Sequence, residues 1–494
     1  MEGEPHVVRT ELAGGAAPPD VAPRGPALAC IAHVTDLHVT DTESPARFEF
    51  VNREWDDPRF RELLTMQRPQ ETLNAHAIAA MLRTVDGIER GPVTGGAVEL
   101  VAMTGDAIDN TQRNELDNFL ALMTGGQVRP GSGAPGYEGV QLADWPGDLY
   151  WKPDAASTDN VFSGDLGFPE MPGLLERAME PFQAAGLRLP WLACYGNHEQ
   201  VCQGVGVVTR GLARAMKGSR KPMALPDGFD RDRALEIFVE SPEAFMSGPN
   251  LDVTPDPSRR PISRQEFVEL VYERGGHGFT PQNRSHGAAY YVHDTRAIRF
   301  VTLDTVCDAG GADGWVEPAQ LHWLERRLEE VHSSFRSRDG STVRTRNQDR
   351  LVVVLSHHGL DTLSNPRAHE SNADSLRRLL LRFPNVVLWL SGHVHANRIT
   401  PRRDEEGDRG FWEVTTAALV DWPCQARLVE LFDAGSGRLG IACTMVDHDG
   451  VDLAGVHREL AANVPLNGFD SWRPGAPADR NAILLLPAPF DLSS

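Results

Sequence analysis

The most informative absence in this sequence is that of a long apolar run. No stretch of the 494 residues approaches the ~20 apolar residues that a membrane-spanning helix needs. Residues Met1–Gly25 are rich in proline, glycine and alanine and contain no apolar core of a secretory signal. We therefore expect a cytoplasmic protein that makes no contact with a membrane.

Positive charge is also scarce. The chain has 48 lysine and arginine residues against 69 aspartate and glutamate residues, which gives a formal net charge of −21. Proteins bind nucleic acids mainly by placing lysine and arginine on phosphates, so this balance argues against a nucleic-acid partner. It does not exclude a small anionic substrate, because bound metal ions reverse the local field.

Cysteine is sparse, and no CxxC spacing occurs. In a chain of this length without a signal, free and buried cysteines are more probable than a disulfide framework. A zinc site built from thiolates is not expected either, because such sites use closely spaced cysteine pairs. The six cysteines are Cys30, Cys194, Cys202, Cys307, Cys424 and Cys443.

The order of the predicted elements gives the fold class. Apolar strands at 28–35 and 98–103 alternate with amphipathic helices at 74–89 and 112–123, a rhythm that favours an α/β layered sheet. Further strands are predicted at 189–195, 288–293, 298–304, 350–356, 386–391, 412–419, 426–431 and 438–446, and further helices at 318–331 and 373–383.

The chain divides into a main α/β domain and two terminal segments. Residues 1–27 are predicted to form a flexible N-terminal arm, 28–450 the main domain, and 451–494 a C-terminal packing tail. Two stretches, 125–188 and 200–285, break the rhythm of strands and helices and are rich in proline and glycine. We interpret them as insertions that form a cap over the active site.

Five short polar blocks carry the chemistry, and four of them directly follow a predicted strand. Strand ends deliver their side chains to one edge of a sheet, so the blocks should meet there. Carboxylates, an amide and imidazoles suit Mn²⁺, Fe or Zn²⁺. In chain order the blocks are Asp36-Leu37-His38, Gly105-Asp106-Ala107-Ile108-Asp109, Gly196-Asn197-His198-Glu199, His357-His358 and Gly392-His393-Val394-His395.

Taken together, the blocks DxH, GDxxD, GNHE, HH and GHxH resemble those of the calcineurin-like metallophosphoesterase superfamily. They span most of the chain, from Asp36 to His395. The resemblance implies a four-layer α/β/β/α sandwich of two mixed sheets flanked by helices, here with large insertions that form a cap. It also implies two metal ions that activate a bridging water and clamp a phosphoryl group.

The resemblance further implies a ligand for each metal. Asp36 and His38 resemble ligands of the first metal, and His395 completes that set. Asp106 resembles the bridging carboxylate, a role that suits a group with two oxygens. The implied ligands of the second metal are Asn197, His357 and His393.

His198 has another role in the superfamily, as a group near the leaving-group oxygen rather than a ligand. There it stabilises charge or gives a proton, which general acid catalysis makes worth roughly 10²–10⁴ in rate. A carboxylate commonly orients such a histidine, and Asp36 or Glu199 is expected to do so. The candidate catalytic residues are therefore His198 and Asp36.

Other polar residues near the blocks have plainer explanations. Asp109 is expected to cap the helix that begins near Gln112, and His33 to be a core histidine on the first strand. Of the pair His357-His358, the first is expected to be the ligand. The one basic cluster, Arg210, Arg214, Lys217, Arg220 and Lys221, is expected to be a solvated helix face rather than a phosphate site.

The resulting hypothesis is a dinuclear metal-dependent phosphoesterase whose metal-bridging hydroxide attacks a small phosphoester. A phosphodiester is favoured over a monoester, since compact bacterial members with the same HH and GHxH pattern act on phosphodiesters. A metal-binding scaffold without turnover is the alternative from another class. A nuclease or a cell-envelope phosphodiesterase is the third, against which the acidic charge and the missing signal argue respectively.

Overall fold

A computed structural model describes residues 4–14, 21–155, 161–275, 277–368, 373–405, 407, 409–463 and 472–492. The strands of this part of the chain are β1 (Val7–Arg9), β2 (Ala29–Val34), β3 (Leu100–Met103), β4 (Gly126–Val128), β5 (Phe182–Ala184), β6 (Trp191–Ala193), β7 (Arg220–Pro222), β8 (Asn250–Asp252), β9 (Tyr291–Asp294), β10 (Ile298–Thr302), β11 (Ser334–Arg336), β12 (Thr342–Arg344), β13 (Leu351–Leu355), β14 (Val386–Ser391), β15 (Arg398–Arg403), β16 (Gly410–Thr415), β17 (Gln425–Gly435), β18 (Arg438–Asp447) and β19 (Ala482–Pro487).

The helices alternate with these strands through most of the chain. They are α1 (Asn74–Gly87), α2 (Arg113–Thr124), α3 (Val161–Gly164), α4 (Leu174–Met179), α5 (Val201–Gly204), α6 (Arg210–Ala215), α7 (Ala234–Glu240), α8 (Arg264–Glu273), α9 (Pro281–His286), α10 (Pro318–Glu329), α11 (Ala373–Leu381) and α12 (Leu453–Asn463). Short 3-10 turns occur between them, one at Asn197–Glu199.

Two large mixed sheets form the centre of the molecule. The first has the order β1-β19-β18-β17-β2-β3-β6, and the second has the order β15-β16-β14-β13-β10-β9. Strands β2, β3 and β6 run parallel to one another, and so do β10, β13, β14 and β16. The carboxyl ends of neighbouring parallel strands therefore lie at one edge of each sheet.

The alternation of side chains along β13 shows how the layers stack. Leu351, Val353 and Leu355 point into the core shared with the first sheet. Val352 and Val354 point the other way, into a cluster with apolar residues of α10 and α11. Helix α1 lies against β18, α2 and α12 on the side of the first sheet. This arrangement confirms the predicted sandwich of two mixed sheets flanked by helices.

Both ends of the described chain take part in the first sheet, which corrects the prediction for the N-terminus. Residues 7–9 are not a flexible arm but an edge strand, β1, parallel to β19, while 1–3 and 15–20 lie outside the described residues. In the C-terminal tail, β19 pairs with β18; residues 464–471 and 493–494 of that tail are not described. A three-residue strand is too short to give a periodic signal, and its partner lies at the opposite end of the sequence.

The two insertions contact each other, as far as they are described (156–160 and 276 are not). The Arg259 guanidinium of the second donates to Ser132 Oγ of the first at 2.7 Å. The backbone N–H of Thr254 donates to Glu138 at 2.6 Å. The second insertion also shares an aromatic core with the segment that follows the first polar block, where Phe48 packs edge-on against Phe238.

Several smaller predictions can be compared with the structure. All six cysteines are free and buried, as predicted. Arg210, Arg214, Lys217 and Arg220 are exposed, as expected for a solvated face, but Lys221 is fully buried and does not belong to it. None of the described helices is long and apolar enough to cross a membrane.

Candidate metal centre

All five polar blocks follow strands and meet at one place. Three follow β2, β3 and β6 of the first sheet, and two follow β13 and β14 of the second. Backbone hydrogen bonds join neighbouring blocks: Asp36 donates to Gly105 O at 3.2 Å, His38 to Asp106 O at 3.0 Å, and Gly392 to His357 O at 3.0 Å. The loops at the carboxyl ends of these strands are thus connected by backbone hydrogen bonds.

The backbone of these loops is unusual at five of the residues implied as metal ligands. They adopt left-handed conformations that residues with a side chain rarely use outside functional sites. Such conformations persist only where the surrounding structure holds them. The φ angles are 52° at Asp36, 47° at His38, 50° at Asp106, 70° at His393 and 53° at His395.

Two glycines of the motifs are required by close approach of the blocks. A Cβ atom at Gly105 would lie 2.7 Å from His357 Nδ1, and one at Gly392 would lie 2.3 Å from Asp36 Oδ2. Gly105 also has a φ of 94°. These glycines let the first-sheet and second-sheet blocks come within contact distance.

One half of the centre is built from the first block and the last. His395 Nε2 lies 3.3 Å from Asp36 Oδ1. His38 Nε2 lies 3.9 Å from the same oxygen and 3.6 Å from Asp106 Oδ2. One ligand atom from each of four residues lies within 4.8 Å of the others, a spacing at which they could hold one metal ion. These residues are Asp36, His38, Asp106 and His395.

The other half shares Asp106 with the first. His357 Nε2 lies 3.1 Å from Asp106 Oδ2 and 2.9 Å from Asn197 Oδ1. His393 Nδ1 lies 3.1 Å from the same amide oxygen. The structure therefore brings together all seven residues predicted as ligands, with Asp106 between the two groups.

The outward nitrogen of three of the imidazoles is hydrogen-bonded to an oxygen. His38 Nδ1 lies 3.0 Å from Asp109 Oδ1, His395 Nδ1 lies 2.7 Å from Asp421 Oδ2, and His357 Nδ1 lies 2.9 Å from Thr104 O. These oxygens accept a hydrogen bond from the outward nitrogen, which leaves the inward nitrogen of a neutral ring able to offer its lone pair to a metal ion. Metal-bound histidines are held in this way.

Carboxylate and amide oxygens and imidazole nitrogens face one another at the centre, so a positive charge among them is favourable. His38 Nε2 is buried and has no hydrogen-bond partner among the residues that the structure describes. Burial lowers the pKa of His357, but the Asp106 carboxylate outweighs it and raises that pKa to about 9. Burial raises the pKa of Asp36, yet His395 holds it at about 2. This donor set of oxygen and imidazole atoms fits divalent transition metals.

Comparison with known proteins agrees with this geometry. The sequence model of the calcineurin-like phosphoesterase family matches residues 147–397, just over half of the chain. The chain belongs to this family. Asn197, His357, His393 and His395 lie inside the matched span, whereas the first two blocks precede it, and the fold places them at the same centre. Among curated proteins, none matches the chain.

Membership of the calcineurin-like phosphoesterase family implies, in general, metal-dependent hydrolysis of phosphoric esters, typically with two metal ions. Of the pair His357-His358, the second also lies beside His357 and His393, with ligand atoms of the three rings within 4.8 Å of one another, but both of its ring nitrogens have other hydrogen-bond partners. Its Nδ1 lies 2.8 Å from Thr305 Oγ1, and its Nε2 lies 2.8 Å from the carbonyl of Ala312. These hydrogen bonds of His358 favour His357 as the ligand, which stays a prediction.

His198 lies at the rim of the centre, and 15% of its side chain is exposed. Its Nε2 is 4.0 Å from Asp106 Oδ2. Its Nδ1 is 3.1 Å from the backbone carbonyl of Asp109 and 3.2 Å from Asp109 Oδ1. The expectation that Asp36 or Glu199 orients this ring is corrected: Asp109 does so. Glu199 accepts backbone N–H groups instead, among them Ala107 at 2.7 Å.

The expectation that Asp109 caps a helix is also corrected. Helix α2 is preceded by Gln112, whose backbone N–H donates to Glu115. The Asp109 carboxylate is buried between two imidazoles and the Arg47 guanidinium, with which it is in contact. Burial raises the pKa of Asp109, but Arg47 outweighs it and holds that pKa well below its usual range.

Two residues of the centre were not predicted from the sequence. Asp421 accepts from His395, and it also pairs with Arg68 and Arg473 at 2.8 and 2.7 Å. It follows the strand β16, so a carboxylate after a closing strand was the available signal. Asp313 lies in the loop between β10 and α10, where no local pattern indicates its position 3.9 Å from His393 Nε2.

His33 is a core histidine, as predicted. Its Nε2 lies 2.8 Å from Thr104 Oγ1, and its Nδ1 lies 2.8 Å from Thr416 Oγ1. Burial lowers its pKa to about 3, so the ring is neutral. It lies behind the centre and links β2 to the loops after β3 and β16.

Proposed function

We propose that this protein is a dinuclear metal-dependent phosphoesterase that hydrolyses a small phosphoester, with phosphodiesters favoured over phosphomonoesters. The observation that carries the proposal is the convergence of seven donor side chains, six of them buried, around two adjacent positions, with Asp106 close to both groups. Asp36, His38 and His395 would hold one ion, Asn197, His357 and His393 the other. The pair of ions would supply an activated water and a clamp on the phosphoryl oxygens.

The protein's own residues have distinct tasks in this reaction. The outward hydrogen bonds of His38, His357 and His395 fix the ring orientations before substrate arrives, which limits reorganisation during the reaction. His198 Nε2 points toward Asp106 at the exposed rim, where a leaving-group oxygen would depart. With Nδ1 held by Asp109, this ring is placed to give a proton to that oxygen.

The charge around the centre supports a diester rather than a monoester. A phosphomonoester carries one more negative charge at neutral pH than a diester, and it would need a further cation. The cations beside the centre are already paired: Arg47 with Asp109 and Glu71, and Arg68 and Arg473 with Asp421. The exposed rim adds another carboxylate, Asp313.

The substrate is proposed to be small because most donor atoms are fully buried. The side chains of His198 and His393 are each 15% exposed, and that of His395 is 11% exposed. A net charge of −21 further disfavours a polyanionic partner. We therefore propose no nucleic acid and no membrane as partner.

The test is metal analysis of the purified protein together with hydrolysis of bis-aryl and mono-aryl phosphates, with and without added Mn²⁺. We expect two metals per chain and faster cleavage of the diester. Two metals with faster monoester cleavage would replace the diester assignment by a phosphomonoesterase. Bound metal without turnover on either substrate would contradict the enzyme assignment and favour a metal-binding scaffold.

A further inference from the structure

A fully buried arginine lies directly behind the candidate catalytic histidine. Arg47 is on the segment that follows the first polar block, and its side chain has no exposed surface. One terminal nitrogen contacts Asp109 Oδ2. The other donates to Glu71 Oε2 at 2.6 Å and to the carbonyl of Met66 at 3.0 Å. The guanidinium plane is thus fixed on two sides.

Asp109 uses its two oxygens for different partners. Oδ2 contacts Arg47, while Oδ1 lies 3.0 Å from His38 Nδ1 and 3.2 Å from His198 Nδ1. A carboxylate held at one oxygen by a planar guanidinium cannot rotate freely about its own bond. The contact between Arg47 and Asp109 therefore helps to set the orientation of both imidazoles. His198 Nδ1 also lies 3.1 Å from the backbone carbonyl of Asp109, so its ring is held by the carboxylate and the main chain together.

The buried charges continue from Arg47 into the second insertion. Arg47 Nε lies 3.6 Å from Glu49 Oε1. The same oxygen accepts from Lys221 Nζ at 2.7 Å. Lys221, on strand β7, is fully buried and also donates to the carbonyls of Ser44 at 2.8 Å and Thr42 at 3.3 Å. The insertion is thereby attached to the segment that carries Arg47.

We propose that Arg47 is a positioning residue of this active site, whose guanidinium fixes Asp109 so that His198 points at the leaving group. This inference rests on the proposed function. Burying a guanidinium is unfavourable unless it is well paired, so packing alone would not select an arginine here. Arginine is specific here because its planar fork contacts two carboxylates at once, which the ammonium group of lysine does not reproduce.

The chain offers a matched control for a merely structural role. Arg259 is equally buried and is bonded to Asp41 at 3.2 Å, to Ser132 and to the carbonyl of Thr254. It ties the second insertion to the first, as Lys221 ties it to residues 42–49. Arg259→Met removes a buried guanidinium of the same size that contacts neither Asp109 nor Glu71.

The kinetic test uses aryl and alkyl phosphodiesters whose leaving groups span a wide range of pKa, at saturating metal. Proton donation by His198 matters for poor leaving groups and little for good ones. In Arg47→Met we expect kcat to fall roughly 10–100-fold on the poorest leaving group and much less on the best. His198→Ala should likewise make kcat depend more steeply on the pKa of the leaving group. In the double variant with Arg47→Met, this dependence should be no steeper than in His198→Ala alone.

A second readout does not depend on turnover. In the zinc-loaded protein, the Nδ1 proton of His198 should give a downfield imidazole resonance, which His198→Ala assigns by its disappearance. We expect Arg47→Met to shift or broaden this resonance, because Asp109 is no longer held. Arg47→Lys, which keeps the charge, should restore it only in part. Arg259→Met should leave both the resonance and the leaving-group dependence unchanged.

The possible failures can be told apart. If wild type cleaves no phosphoester, the proposed function fails and this inference falls with it. If wild type is active and Arg47→Met loses the same factor on every leaving group, or loses nothing, only the positioning role is overturned. Should Arg47→Met not fold, Glu71→Gln removes one of the two contacts that fix the guanidinium, and the same comparison applies to it.

Discussion

The two halves of the centre differ in what lies behind their imidazoles. In the half of Asp36, His38 and His395, both histidines are backed by buried carboxylates, Asp109 at 3.0 Å and Asp421 at 2.7 Å. A carboxylate behind an imidazole raises its basicity as a ligand. This half also has a carboxylate of its own, Asp36, in addition to the shared Asp106.

The half of Asn197, His357 and His393 has weaker support. The outward nitrogen of His357 donates to the neutral carbonyl of Thr104 at 2.9 Å. The Nε2 atom of His393 lies 3.9 Å from Asp313, a distance longer than a direct hydrogen bond. None of these three ligands is a carboxylate, so the shared Asp106 supplies the negative charge for this half.

Because of this difference, we expect the two halves to bind their metal ions with different affinities. The first half has a carboxylate, Asp36, that the second half does not share, and its imidazoles are hydrogen-bonded to carboxylates, so it should bind its ion more tightly. The second half should exchange its ion more readily. Progressive chelation followed by metal analysis should therefore pass through a species with one metal per chain.

The largest effect should come from the residue that both halves share. Asp106→Asn removes the only carboxylate between the two positions, and the remaining amide has one oxygen to offer. We expect both metals and all turnover to be lost together, measured by metal analysis and hydrolysis of a bis-aryl phosphate. Retention of two metals by this variant would contradict the bridging role.

His198→Ala should have the next largest effect on turnover. It should not change the relative metal affinities of the two halves, because His198 is a ligand in neither. We expect two metals per chain and a loss in kcat of roughly 10²–10⁴ on an unactivated substrate. His286→Ala, at an exposed histidine of α9, is the matched control. Wild-type turnover in His198→Ala would remove it from the mechanism.

Asp421→Asn should sharpen the difference between the halves by weakening only one. Without the carboxylate, His395 loses its charged partner, and affinity for the ion held by Asp36, His38 and His395 should fall roughly 10–100-fold. Competitive chelation measures this. If the other ion were the one released more easily than in wild type, the assignment of Asp421 to the first half would be incorrect.

The smallest effect is expected at Asp313, because its side chain is 41% exposed and lies 3.9 Å from His393. Exposed charges at such distances interact weakly. Asp313→Asn should change metal affinity less than Asp421→Asn does, in the same chelation assay. An equal or larger effect would show that both halves depend on a supporting carboxylate, which would contradict the expected difference between their metal affinities.

The sequence predicted the strands and the blocks better than their surroundings. Buried apolar runs such as 350–356 and 386–391 announce β13 and β14 within about a residue, because every residue of these strands is buried. Strand β1 gives no comparable signal because it has only three residues, none of them fully buried. Its partner β19, Ala482–Pro487, is an apolar run of the same kind as β13, although no strand was predicted there. Helix α12, in the predicted packing tail, was likewise not predicted.

The set of metal-facing side chains and their location at strand ends follow from the sequence alone. Residue type fixes the ligand chemistry, and the apolar runs before the blocks fix where the strands end. The residues that hydrogen-bond to the ligands are known only from the tertiary structure. Arg47 and Asp109 are 62 residues apart, and His395 and Asp421 are 26 apart. Such contacts follow no period, because they arise only when separate loops pack at one sheet edge and their buried charges must find partners.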